Sequence, residues 1–386
     1  MYSKGFVFTA ACIGMLLFGI VLISLGSILP AITSKFVLDE ITAGSLTVIL
    51  PFGILVGSII FGPIVDRYGY KYLLIICTVV VALGLEGIAF ANSFFLLQLS
   101  IFLIGFGGGV INGGTNALVT DISSEGRGAN LSLLGVFFGI GALGMPAILG
   151  LLYNYFSHES IIAGIGLLMI LPVLYFFVIK FPAAKQPQGI PLKKGLALIK
   201  DSTLILMGLI LFFESGMEGV VNNWTTTYLQ NYVNVSPENA LLVLSLFVLG
   251  MTVTRLILGF VLKKIPPWKV LFVCIGFVFV GSIFLMVSQS IFLSVLSLIL
   301  LGVGLAAGFP VILGYVGDMY SELSGTAFSI VFVIALVGNM IINYLMGFIA
   351  HSFGIEYYSL LLLVGLIIMT VLLISALKKI PDKNKI

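Results

Sequence analysis

The sequence predicts an all-α integral membrane protein, with twelve transmembrane helices in two pseudo-symmetric six-helix bundles. Three observations carry that expectation. Of 386 residues, 60% are hydrophobic and only 9% charged, with 45 glycines and a mean hydropathy of +1.25. Soluble domains carry about 25% charged residues, so an ordinary soluble domain is excluded. Apolar runs of roughly 20 residues or more, enough to cross a bilayer, follow one another along the chain. The second half repeats landmarks of the first at a fixed offset.

Twelve runs are read at 6–34, 40–64, 71–90, 94–119, 129–155, 160–180, 203–232, 237–262, 268–287, 291–316, 323–350 and 356–377. The first is too long for a leader peptide and shows no small-residue cleavage site, so it reads as a span. Placing the N-terminus inside assigns 16 of the 18 basic residues to cytoplasmic segments, leaving Lys35 in an outer loop and Arg255 within a span. The positive-inside bias therefore predicts a multi-pass protein of the cytoplasmic (inner) membrane with both termini cytoplasmic. The net charge of +3 follows from this topology and indicates no nucleic-acid partner. Cys12, Cys77 and Cys274 all fall in spans, which argues against a disulfide framework.

The stretch 181–200 has linker character and separates a first bundle, 1–180, from a second, 201–386. A shift of 197 residues lays Gly62 on Gly259, Gly105 on Gly302, Gly107 on Gly304, Asp121 on Asp318, Glu125 on Glu322 and Gly128 on Gly325. Glycines could coincide by chance, but two acids at the same loop offset are harder to dismiss. Duplicated six-span halves are the architecture of secondary transporters, with the substrate near mid-membrane between them.

The loop between spans 2 and 3 reads "GPIVDRYGYKYLL" and resembles the major facilitator superfamily pattern G-x-x-x-D-R-x-G-x-[RK], matched by Gly62, Asp66, Arg67, Gly69 and Lys71. The resemblance implies the major facilitator fold and an inner gate, in which the glycine permits close helix approach and the charged groups latch neighbouring helix ends. The plainer reading is a charged inner loop. Arg255 is similar to a superfamily arginine that ties inner helix ends, and reads as a gate or scaffold residue whose head can snorkel.

Narrower stretches look like the fucose–proton symporter family of sugar permeases. They are Asn130–Gly150, "NGGTNALVT" from Asn112, and the spacing of Glu218, Trp224 and Tyr228 in span 7. That resemblance implies sugar–cation symport. The chain departs from the family where its carriers place acids in the first and fourth spans, because Gly26 and Asn112 stand there. A coupling group would have to lie elsewhere, or the ion would differ.

Three acids fall inside spans: Glu86, Glu214 and Glu218. An ionised side chain at mid-bilayer costs roughly 2.5–3.5 kcal/mol, so such groups face a cavity or a partner. Glu214, Glu218 and Asn222 recur every four residues on one helix face. Two carboxyls that close raise each other's proton affinity, which is the chemistry of proton or sodium coupling. Glu218 is the leading coupling candidate and Glu214 the second. The alternative is a neutral hydrogen-bonding tie between helices, and this is the preferred reading of Glu86.

Asn222, Asn223 and Trp224 suit a sugar, because amides donate and accept to hydroxyls and an indole stacks on a pyranose face. Trp224 could instead belong to the interfacial belt. Asn112 with Asn116, Asn339 with Asn343, and Tyr228 complete the candidate substrate set. For the span 11 pair, helix–helix hydrogen bonding is the competing role.

No cofactor and no metal site are expected, since His158 and His351 stand far apart in unlike contexts. The chain has no Gly-Lys pair, hence no phosphate-cradling loop of a primary pump. No nucleophile–base set of a membrane enzyme is visible either, and a channel needs no duplicated halves. The expected molecule is a monomeric secondary transporter of a monosaccharide or sugar derivative, partnered by protons or sodium and the lipid bilayer. The rival within transporters is a major facilitator exporter of drugs or metabolites.

Overall fold

A computed structural model describes residues 2–38, 40–123, 126–152, 155–185, 197–235, 237–288 and 290–380. Lys193, Lys194, Lys383, Lys385, Glu125 and most of the linker lie outside the described residues. Twelve helices among those described are long and apolar enough to cross a membrane. Helices are the expected answer, because a chain segment in lipid must satisfy its own backbone polar groups.

Spans 1 to 5 are single helices, Lys4–Phe36, Glu40–Tyr68, Tyr70–Ala89, Phe94–Ile122 and Arg127–Leu152. Span 6 is made of His158–Leu168 and Ile170–Val178. Spans 7, 8 and 9 are Ser202–Asn231, Pro237–Val261 and Pro267–Met286. Span 10 is again two helices, Ile291–Leu305 and Gly308–Met319, and spans 11 and 12 are Ser324–Ser352 and Tyr358–Lys379.

Both interruptions have the same cause. Pro310 is the third residue of its helix, where its missing N–H is lost at no cost. Its ring would strike the carbonyl of Ala306 if the helix ran on, so the chain breaks at Ala306–Ala307. Pro172 stands in the same relation to Leu168 and divides span 6. The first new bonds, Val311 N–H to Ala307 and Val173 N–H to Met169, restart each helix beyond the break.

The described residues form two compact units. One comprises Met1–Ser124, Phe137–Gly195 and Ser321–Ser329, and the other comprises Glu125–Val136, Leu196–Tyr320 and Ile330–Ile386. Each unit thus takes in the first turns of a helix that otherwise belongs to the other half of the chain. Those turns begin spans 5 and 11, which the 197-residue shift also pairs.

Candidate substrate and coupling site

In the first unit the loop motif closes on the borrowed start of span 11. Asp66 is 1% exposed, and its carboxylate accepts from the N–H of Gly325 at 3.3 Å, the N–H of Thr326 at 3.0 Å and the Thr326 hydroxyl at 2.7 Å. A carboxylate suits this place, since the first N–H groups of a helix lack partners and carry partial positive charge. Gly62 donates its N–H to Ser329 Oγ at 3.0 Å, and any Cβ on Gly62 would run into the backbone of Gly325. Gly69 turns the chain between spans 2 and 3 at φ +78°, a conformation that glycine adopts without strain.

The basic members of the motif go elsewhere. Lys71 donates to the Phe177 carbonyl at 2.7 Å, and Arg67 lies over the Tyr68 ring at 4.9 Å. Lys185, which the sequence did not single out, joins Asp121 at 2.6 Å and Ser324 at 2.7 Å, while Tyr70 also donates to Asp121. The duplicated acid in the second unit, Asp318, pairs with Arg127. The coincidence of Asp121 with Asp318 was the available signal, because both acids hold basic groups near the same helix ends.

Also in the first unit, Asn116 donates to the carbonyl of Asn112 at 2.8 Å and to its side-chain oxygen at 3.1 Å, so the two amides form one polar patch on span 4. Asn112 is half-buried. Gly26 faces open space, with nothing near where a side chain would begin. Glu86 packs its carboxyl on Gly166 of span 6, and its Oε1 has no hydrogen-bond partner, so the contact is packing rather than the expected hydrogen-bonding tie.

The second unit gathers the remaining candidates around span 7. Glu214 is 2% exposed, one of its oxygens, Oε1, has no hydrogen-bond partner, and its carboxyl lies directly against Gly308, the first residue of the second half of span 10. Ala307 provides no side-chain cap of its own, and the Glu214 carboxyl lies beside this helix start, where the first N–H groups lack partners within the helix. Glu218, half-buried one turn along, repels Glu214, and Arg255 attracts both. Arg255 is 8% exposed and its Nε has no partner. The start of span 5 packs around it, with Ser132 donating to its carbonyl at 2.6 Å. Two acids and one arginine in a buried site leave one negative charge uncompensated unless a cation joins them.

One turn further along span 7, Asn223 donates to Asn343 Oδ1 at 2.9 Å, and Asn343 donates to the Asn339 carbonyl at 2.8 Å. Asn339 donates to the Ser215 carbonyl at 2.7 Å, so the span 11 amides tie spans 7 and 11 together. Asn222 returns its Nδ2 to the Glu218 carbonyl at 2.9 Å. The Trp224 indole lies over Gly347 of span 11. Tyr228 is placed differently from the others. It is 0% exposed, stacks on Tyr358 with ring centres 5.0 Å apart and donates to the Leu285 carbonyl at 2.8 Å. Its face and hydroxyl are therefore engaged in packing, and Thr225 completes the group through a 2.8 Å bond to Tyr358.

Comparison with known proteins gives the chain its place. The family model described as Major Facilitator Superfamily matches residues 11–292 and, in a second match, 207–385. The glucose/mannose transporter GlcP of Bacillus subtilis is 24% identical over 344 residues, covering 85% of this chain and 84% of that protein. An uncharacterized MFS-type transporter of the same organism, YfkL, is 22% identical over 356 residues, covering 88% and 87%. The structure of the Escherichia coli fucose:proton symporter FucP superposes with a TM-score of 0.77 at 18% identity, covering 96% of this chain and 98% of that one. The chain belongs to the Major Facilitator Superfamily, and is a multi-pass membrane transporter rather than an enzyme.

Proposed function

We propose that the chain is a secondary transporter of a small polyhydroxylated solute, a monosaccharide or close derivative, driven by a proton or sodium gradient through alternating access. The observation that carries this reading is the set Glu214, Glu218 and Arg255 in one unit, with Asn222, Asn223 and the Trp224 indole further along span 7 and the span 11 amides Asn339 and Asn343 against Gly219 beside them. Its charge imbalance suits a mobile cation, and its amides and indole suit hydroxyls and a pyranose face. The likeness to a glucose/mannose transporter and to a fucose:proton symporter supports the same substrate class.

In this account the basic ends of the helices face the cytoplasm, as the positive-inside bias requires. Asp66 on the start of span 11 is the inner latch, and Glu218 carries the cation.

Uptake of a panel of sugars into proteoliposomes, with and without an inward proton or sodium gradient, tests the reading. One or more monosaccharides should accumulate only with the gradient. Trp224→Ala and Asn222→Ala should each weaken sugar binding at least several-fold while the protein stays folded. Extrusion of lipophilic dyes with no sugar uptake would establish the exporter reading in its place.

A further inference from the structure

Spans 8 and 9 both pack on span 10 but barely touch each other among the described residues. They leave between them a groove of 580 Å³ lined by Leu249, Val253, Ile257, Val273, Phe277 and Val303. The volume lies inside the roughly 300–1,000 Å³ range of small-molecule clefts. Leu249, Val253, Ile257 and Val273 are exposed along it, within helices long enough to lie in lipid. Lys269 also lines the groove, which makes it apolar along most of its length and cationic at one end.

That end carries more charge than the groove alone shows. The tight turn after span 8 holds Lys263 and Lys264, and Trp268 begins span 9 with the Lys269 ammonium 5.4 Å from its ring centre. A tryptophan beside lysines at a span end marks the headgroup level of a bilayer. Between Lys263 and Lys269 there is no acid, and among the described residues none of the three lysines has an ion-pair partner.

The duplication sharpens the point. The 197-residue shift lays Asp66 on Lys263, Arg67 on Lys264 and Gly69 on Pro266. In the first unit this loop presents a carboxylate to the start of a helix. In the second unit the carboxylate is replaced by a cation and the flexible glycine by a rigid proline. The repeated loop therefore lacks the group that makes the latch and presents a fixed basic rim beside an apolar slot.

We propose that the groove between spans 8 and 9 is a site for one anionic phospholipid, with its phosphate on Lys264 and Lys269, additional charge from Lys263, and one acyl chain along Val253 and Val273. Clusters of basic side chains at span ends select anionic headgroups, each worth about a five-fold preference. The slot adds the requirement for a chain, which distinguishes a lipid from free phosphate.

The two tryptophans of the chain are Trp224 and Trp268, so Trp224→Phe leaves Trp268 as the sole tryptophan, at one end of the groove and excited selectively at the red edge where tyrosine does not absorb. The full-length variant is reconstituted into phosphatidylcholine vesicles containing a minor fraction of chain-brominated phosphatidylglycerol or chain-brominated phosphatidylcholine. Trp268 should be quenched several-fold more strongly by the anionic lipid. Adding Lys264→Gln and Lys269→Gln should erase that preference, whereas Lys264→Arg with Lys269→Arg should keep it. Val253→Phe, with every lysine intact, should weaken quenching by phosphatidylglycerol. Equal quenching by both lipids would overturn the proposal. So would loss of the preference on adding inorganic phosphate together with indifference to Val253→Phe, or quenching that depends on protein density rather than lipid species, which marks a second copy in the groove.

Discussion

The carboxyl of Glu214 lies directly against Gly308, so a side chain of span 7 sits at the start of a helix that begins in the middle of span 10. Asp66 does the same for the start of span 11 from span 2. In both cases a carboxylate meets unpaired N–H groups at the positive end of a helix, where opposite charge is favoured by roughly 0.3–2 kcal/mol. The two contacts couple the charge of an acid to the position of a helix, which is what a gated carrier requires.

Gly308→Ala should separate this contact from simple packing. A methyl group there would occupy the place of the Glu214 carboxyl, which is buried and cannot swing into solvent. Overpacking of this kind costs about 1–3 kcal/mol. Transport should fall at least ten-fold with a modest loss of thermal stability, and Glu214→Ala in the same chain should recover part of the stability. Thermal-shift and uptake assays on the single and double variants provide the check, and equal stability of the two would contradict the contact.

Asp66→Ala should leave the N–H groups of Gly325 and Thr326 unpaired in a buried place, at about 1–3 kcal/mol each. Asp66→Asn keeps one oxygen acceptor and should cost less. Cysteines placed along the first turns of span 11 report the effect, because labelling by an impermeant reagent should rise in the order parent, Asn, Ala. An unchanged labelling rate in the Ala variant would remove Asp66 from the latch.

Asp201 offers a pH-dependent test outside the spans. Burial alone would raise its carboxyl, but the N–H of Leu204, the Tyr320 hydroxyl and the N–H of Thr203 together hold it below its ordinary value of 3.8. A carboxyl lowered in the folded state stabilises fully above its unfolded value and loses that contribution as pH falls through the folded one. Melting temperature in detergent should therefore drop as pH falls through and below the ordinary carboxyl value of 3.8. Asp201→Asn should flatten that part of the profile, and an identical profile would show that the cap contributes nothing.

The twelve spans were legible because lipid forces long uninterrupted apolar runs, and their ends shift by only a few residues in the structure. The loop motif was legible for Asp66 and Gly62, whose chemistry is fixed by their kind. Their partners were not, since Gly325, Thr326 and Ser329 lie in another half of the sequence and act partly through backbone. The i, i+4 spacing put Glu214 and Glu218 on one face but could not show that Pro310 opens span 10 opposite Glu214. The pattern "LAAGFP" held that signal, a proline four residues beyond Ala306 with a glycine between. Tyr228 entered the candidate set through its spacing from Glu218 and Trp224, which could not show that Tyr358 and the Leu285 carbonyl surround it in a buried place.

Accumulation and counterflow of a transported sugar, measured on the same vesicles with Glu218→Gln, decide whether Glu218 carries the coupling cation. Glutamine mimics the neutral carboxyl, so the variant should exchange sugar across the membrane at near the parent rate while failing to accumulate it against a gradient. Glu214→Gln should keep most accumulation, because the amide keeps the size and shape of the carboxyl that lies against Gly308. Uphill accumulation by Glu218→Gln at the parent level would contradict the account and move the coupling group elsewhere in the chain.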